Sequence, residues 1–86
     1  MGLDSVELVM EWEDEFEIDI PDEAAGTMRS IGDVTDWITA HLAAIGRPMA
    51  RALVLEKVCA ITCVQCGTTR DQLTETTRFI DDLGID

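Results

Sequence analysis

Apolar residues recur at helical spacing in three stretches of the chain and nowhere alternate for long enough to make a strand. Over residues 4–16, Val9, Trp12 and Phe16 share one face, with Val6 and Leu8 beside them and Glu7, Glu11 and Asp14 opposite. Asp4 and Ser5 offer oxygens to the unpaired N–H groups at the start of that helix. Ile18-Asp19-Ile20 then meets Pro21, which ends any helix before it, and residues 21–25 read as a short helical turn with proline at its first position. Ser30 caps a third helix, with Asp33 as its capping-box partner and Val34, Trp37, Ile38 and Leu42 facing inward. Gly46-Arg47-Pro48 is a turn. A fourth helix covers 50–65, with Leu53, Val54, Val58, Ile61 and Val64 predicted inward and Gly67 as its left-handed terminator. Residues 68–86 read as a threonine-rich loop pinned by Leu73, Phe79, Ile80 and Leu83, with a possible helical turn at 81–83. The pattern predicts an all-α bundle of three main helices and one short one.

Charge narrows the functions such a bundle can serve. The 86 residues carry a net charge of −12, which argues against nucleic acid, where phosphates demand a basic surface. Ten of the eighteen acids lie in 4–23, while five of the six bases lie in 47–78, so one end of the chain is an acidic surface element. It should repel anionic membranes and attract partners with basic patches. No apolar run reaches membrane-spanning length, and no secretory signal pattern is present. Cys59, Cys63 and Cys66, odd in number and clustered, do not form a disulfide framework, so a reducing cytoplasm is the expected setting. Core filling is the leading reading for these thiols, because a zinc site would need a fourth ligand and His41 lies on another helix. No nucleophile–base–acid set or phosphate loop points to an enzyme.

Several segments resemble one family. Val6-Glu7-Leu8-Val9-Met10, the acidic run to Phe16 and Ile20-Pro21-Asp22-Glu23 resemble the second helix and following loop of acyl carrier proteins. Ser30-Ile31-Gly32-Asp33-Val34 through Trp37-Ile38 is similar to that family's last helix. Val58, Ile61 and Gln65-Cys66-Gly67, with the run from Thr77 to Asp86, resemble its first helix and long loop. The resemblance therefore implies one acyl-carrier-like domain over 1–86 in circularly permuted order. Residues 1–43 match the family's C-terminal half, 44–50 form a joint, and 51–86 match the N-terminal half. Such a chain closes on itself as a monomer or exchanges halves in a dimer.

The family carries acyl intermediates of fatty-acid, polyketide or related synthesis as thioesters on serine-linked 4'-phosphopantetheine, and the carrier is not itself an enzyme. Its serine follows Gly-x-Asp, so Gly2-Leu3-Asp4-Ser5 makes Ser5 the attachment candidate, with Asp4 to orient the hydroxyl or the donor's metal-bound phosphate. An ungapped count back from Ile20-Pro21-Asp22-Glu23 instead places that position on Gly2, which has nothing to modify. Glu7, Glu11, Glu13 and Asp14 are the implied docking acids for a phosphopantetheinyl transferase and for acyl-processing enzymes with basic patches. Val9, Phe16, Ile38, Val54, Val58 and Ile61 are the residues that would line an acyl chain. Two alternatives remain open: an unmodified acidic binding or regulatory module, and a rearranged or engineered permutant with no carrier role.

Overall fold

In the computed structural model, residues 5–79 and 82–83 are described, apart from the Ser5 side chain. Helix α1 spans Ser5–Phe16, α2 Asp22–Ala25, α3 Ile31–Ala44 and α4 Arg51–Cys66, and a single 3₁₀ turn covers Arg70–Gln72. The described residues include no β-strand, only one isolated antiparallel bridge between Ser30 and Arg78. None of their helices is long and apolar enough to cross a membrane. The all-α expectation of three long helices and one short one holds, with Pro21 serving as N-cap of α2 and not as its first residue.

The three long helices end in the same way. After α4, Gly67 adopts φ 66°, and Thr68 N–H donates to the Cys63 carbonyl at 3.2 Å. After α3, Gly46 adopts φ 79°, and Arg47 N–H reaches the Leu42 carbonyl at 2.8 Å. After α1, Ile18 N–H reaches Glu13 at 3.1 Å, but the left-handed position is Glu17, with φ 55°. A residue with a Cβ is strained there. Two outside ties hold it: Arg47 donates to the Phe16 carbonyl at 2.8 Å and to the Glu17 carbonyl at 3.1 Å. The guanidinium thus answers carbonyls that α1 cannot pair internally. It also anchors the α3–α4 connection to the end of α1.

One core joins all the helices. Leu8, Trp12 and Phe16 of α1 meet Ile31, Val34, Ile38 and Leu42 of α3 and Val54, Val58 and Cys59 of α4. Ile18, Ile20, Leu73 and Phe79 close it from the loops. The inward stripe of α1 is therefore Leu8-Trp12-Phe16, with Val9 half-buried and Val6 60% exposed. On α4 the buried line is Val54-Val58-Thr62 with Cys59, while Leu53 and Val64 face outward and Ile61 is half-buried. That corrects the predicted inward face. Thr62 is tolerated inside because its hydroxyl donates to the Val58 carbonyl at 2.8 Å, as Thr35 does to Ile31 in α3. Trp12 packs on Phe79 with ring centroids 5.4 Å apart, and its indole N–H finds no acceptor among the described residues.

The C-terminal loop is fixed by the start of α3. Ser30 caps the helix through its hydroxyl, which accepts from Asp33 N–H at 3.3 Å, and Asp33 reaches back to Arg29 N–H at 3.1 Å. Ile31 N–H donates to the Thr77 carbonyl at 3.0 Å, and Gly32 N–H donates to the Glu75 carbonyl at 2.8 Å. The loop turns where Thr77 N–H meets the Thr74 carbonyl and the buried Thr77 hydroxyl accepts from Thr74 N–H at 2.9 Å. Leu73 and Phe79 pin the loop as predicted and Leu83 is half-buried, but Ile80 lies outside the described residues. Asp82 and Leu83 form a turn on the Arg78 carbonyl.

A side chain at position 32 would place its Cβ 2.9 Å from the Glu75 carbonyl oxygen. Alanine in a helix ordinarily gains about 1 kcal/mol over glycine, but overpacking against backbone costs about 1–3 kcal/mol and disturbs the Gly32 N–H bond. Gly32→Ala is therefore expected to lower stability by about 1–2 kcal/mol in urea unfolding.

Candidate functional site at the acidic helix

The candidate attachment residue, Ser5, is the first described residue of α1, and a site at a helix start would offer backbone N–H groups without intrahelical acceptors. Asp4 lies outside the described residues. A helix N-terminus favours an anionic group through those donors and the aligned peptide dipoles. Glu7, in the first turn, works against that preference by adding its own negative charge.

The docking candidates divide in the structure. Glu7, Glu11 and Asp14 are exposed. Glu13 is half-buried, and its carboxylate accepts a 2.7 Å bond from Ile20 N–H, seven residues on. It holds the chain where α1 gives way to the loop, so its primary contact is internal. Glu15 forms a 3.0 Å ion pair with Lys57 on α4. A cleft of about 360 Å³ beside the end of α1 is lined by Glu13, Asp14, Glu17, Ile18 and Asp19. Four of those five residues are acids, which suits solvent and not an apolar guest. The residues named for lining an acyl chain lie in or against the packed core, with Val9 and Ile61 at its border.

Two further clusters flank the loop. Arg51 bonds Asp36 at 2.7 Å and Glu75 at 2.5 Å, tying the start of α4 to α3 and to the loop. Its guanidinium holds the Glu75 carboxyl below the usual carboxylate range through that hydrogen bond. Arg70 does the same for Glu56 at 2.8 Å. Cys59 is fully buried, and burial pushes its thiol and that of Cys66 upward, away from the reactive thiolate. That fits core filling for Cys59, while Cys63 and Cys66 are half-buried free thiols at its edge. Among the described residues no group of three or more His, Cys, Asp or Glu is placed to hold a metal ion. His41 instead stacks on Trp37, rings 4.7 Å apart and 11° from parallel.

Curated proteins share this sequence in part. An acyl carrier protein of Clostridium acetobutylicum is 54% identical over 40 residues, covering 46% of this chain and 52% of its own length. One from Caulobacter vibrioides is 53% identical over 38 residues, covering 44% and 49%. Over those residues the chain is similar to acyl carrier proteins. A third, from Clostridium perfringens, is 51% identical over 40 residues, covering 46% and 53%. The chain thus spans about half the length of the curated relatives it matches. No family model matches it, and no solved structure does. The relatives' name is that of a carrier and not of an enzyme.

Missed by sequence reasoning were the Arg47 clamp and the Glu13 bond, both made to backbone atoms distant in the chain, which no residue pattern marks. Glu13→Ala should cost about 1–2 kcal/mol in chemical denaturation, whereas Glu11→Ala should stay within about 0.5 kcal/mol. The Glu75 carboxyl gives a pH signature. Because its folded pKa is depressed, its stabilising contribution is present above its ordinary pKa and lost as pH falls through the folded value. The stability gap between the parent chain and Glu75→Gln should therefore narrow from about pH 6 toward about pH 3, measured by urea unfolding across that range.

Proposed function

We propose that this chain is an acyl-carrier-like protein. It carries acyl intermediates as thioesters on a 4'-phosphopantetheine arm esterified to Ser5, and it docks to its enzymes through the exposed acids of α1. The observation that carries the reading is identity above 50% to acyl carrier proteins over some 40 residues, on a chain whose acidic helix α1 includes the candidate serine. The arm, when attached, supplies the thiol on which an acyl group rides. The chain's own part is to hold the ester phosphate at the N-terminus of α1, where free N–H groups favour it. Asp4 directs the hydroxyl during transfer, and Glu7, Glu11 and Asp14 attract basic partner surfaces.

Glu13 belongs to this docking set only through its charge, since its carboxylate is engaged by Ile20 N–H. Partners on this reading are a phosphopantetheinyl transferase and acyl-processing enzymes with basic patches, met in the cytoplasm through weak, salt-screened contacts suited to rapid exchange. A match of about 40 residues to about half of each relative supports the permuted order, since a collinear comparison of permuted chains aligns one half at a time. A second reading, an unmodified acidic binding module, is favoured by the register that places Gly2 at the carrier position.

The deciding experiment incubates the chain with coenzyme A, magnesium and a broad-specificity phosphopantetheinyl transferase, followed by intact and peptide mass spectrometry. The expected result is one arm-sized gain on the peptide containing Ser5, abolished in Ser5→Ala. No gain overturns the carrier reading in favour of the unmodified module. A gain that persists in Ser5→Ala overturns the assignment of the site.

A further inference from the structure

Helix α4 exposes a line of apolar side chains. Leu53 is 49% exposed and Val64 80%, and Ala60 is exposed between them. Positions 53, 60 and 64 follow i, i+7 and i+11, so they share one side of the helix. Single exposed apolar residues need no explanation, but a line along three turns is a surface that gains by being covered.

What flanks that line is fixed by two contacts. Lys57, on the same side of α4, reaches Glu15 of α1 at 3.0 Å. Arg47, just before α4, holds the carbonyls that end α1. Helix α4 therefore starts where α1 finishes, and the two run in opposite directions. Moving from Lys57 toward Val64 follows α1 back from Glu15 to Glu11 and Glu7, which stand at successive i+4 positions. Lys57 is already matched by Glu15, while Glu7 and Glu11 are exposed and make no ion pair among the described residues. The seam is apolar on its α4 bank and anionic on its α1 bank.

We propose that the α1–α4 seam docks an amphipathic helix of a partner protein. Its apolar face covers Leu53, Ala60 and Val64, and its lysines or arginines meet Glu7 and Glu11. A second copy of this chain is a poor occupant, because two chains of charge −12 would bring acidic rails together. The inference stands apart from modification of Ser5. It adds an apolar contact on α4 to the acidic one on α1 and leaves Asp14 outside the contact.

The test uses a fluorescein-labelled model helix made only of leucine and lysine, titrated with the full chain and followed by anisotropy. Leu53→Gln/Val64→Gln is expected to weaken binding on the order of ten-fold. Glu7→Gln/Glu11→Gln should weaken it several-fold and flatten its salt dependence. Val6→Gln/Met10→Gln, which alters the other exposed apolar pair, 60% and 55% exposed, should leave it unchanged. All six positions are exposed, and circular dichroism verifies that each variant keeps its helices. Absence of saturable binding overturns the proposal. So does binding that depends on Val6 and Met10 while tolerating Leu53→Gln/Val64→Gln. Because the chain need not carry an arm, the outcome is independent of whether Ser5 accepts one.

Discussion

The first turn of α3 is the constraint on which the rest of the molecule hangs. A helix start leaves N–H groups that must find acceptors or lose hydrogen-bond energy once water is excluded. Here a side chain of the same helix start answers one, and a loop more than forty residues downstream answers two, through the Thr77 and Glu75 carbonyls. With those bonds made, the loop delivers Leu73 and Phe79 into the core, and Phe79 meets Trp12 of α1. Arg51 then spans Asp36 and Glu75, so the same strip of loop also sets the start of α4. Gly32 is the residue that permits the approach, because any Cβ there would occupy the space of the Glu75 carbonyl.

What was legible in the sequence was local. Ser30 as a cap, Gly67 as a left-handed stop and Pro21 as a boundary each express chemistry within a few residues, and each appears in the structure with only one-residue shifts. The inward face of α4 was not legible. Leucine, valine, isoleucine and cysteine occur almost all round that helix, so periodicity could not choose between Leu53 and Val54 or between Val64 and Thr62. The choice was made by α1 and α3, which cover the Val54-Val58-Thr62 line, and by the ability of Thr62 to satisfy its hydroxyl on its own helix. The candidate site behaved likewise. Acidity marked α1 as a surface, but only the three-dimensional path of the chain separates Glu13, which bonds Ile20, from Glu7 and Glu11, which face solvent.

The uneven charge along the chain acquires a purpose in this geometry. Bases of the C-terminal half reach the acidic half at three places: Arg47 at the end of α1, Arg51 at Asp36 and Lys57 at Glu15. Exposed ion pairs of this kind contribute little each, yet their positions select one register between α1 and α4 and oppose arrangements that bring carboxylates together. Among the described residues they also leave Glu7 and Glu11 without an ion pair. The surplus negative charge is thus concentrated on the face the proposed partners would meet.

The ties between the two halves bear on whether the proposed permuted chain closes on itself or exchanges halves with another. Core contacts, loop caps and ion pairs all cross between residues before and after the 44–50 joint, and an exchanged dimer would preserve each of them. The joint itself would not survive unchanged. It is a structured turn, with Gly46 in the left-handed region, Arg47 N–H on the Leu42 carbonyl and the Arg47 guanidinium on the end of α1. Opening it into an extended hinge would forfeit that helix-ending bond and expose the carbonyls it answers. An exchanged form also loses the entropy of a second free chain. The turn at Gly46 and Arg47, with its helix-ending bond and its clamp on the end of α1, is the latch that any exchange of halves would have to open.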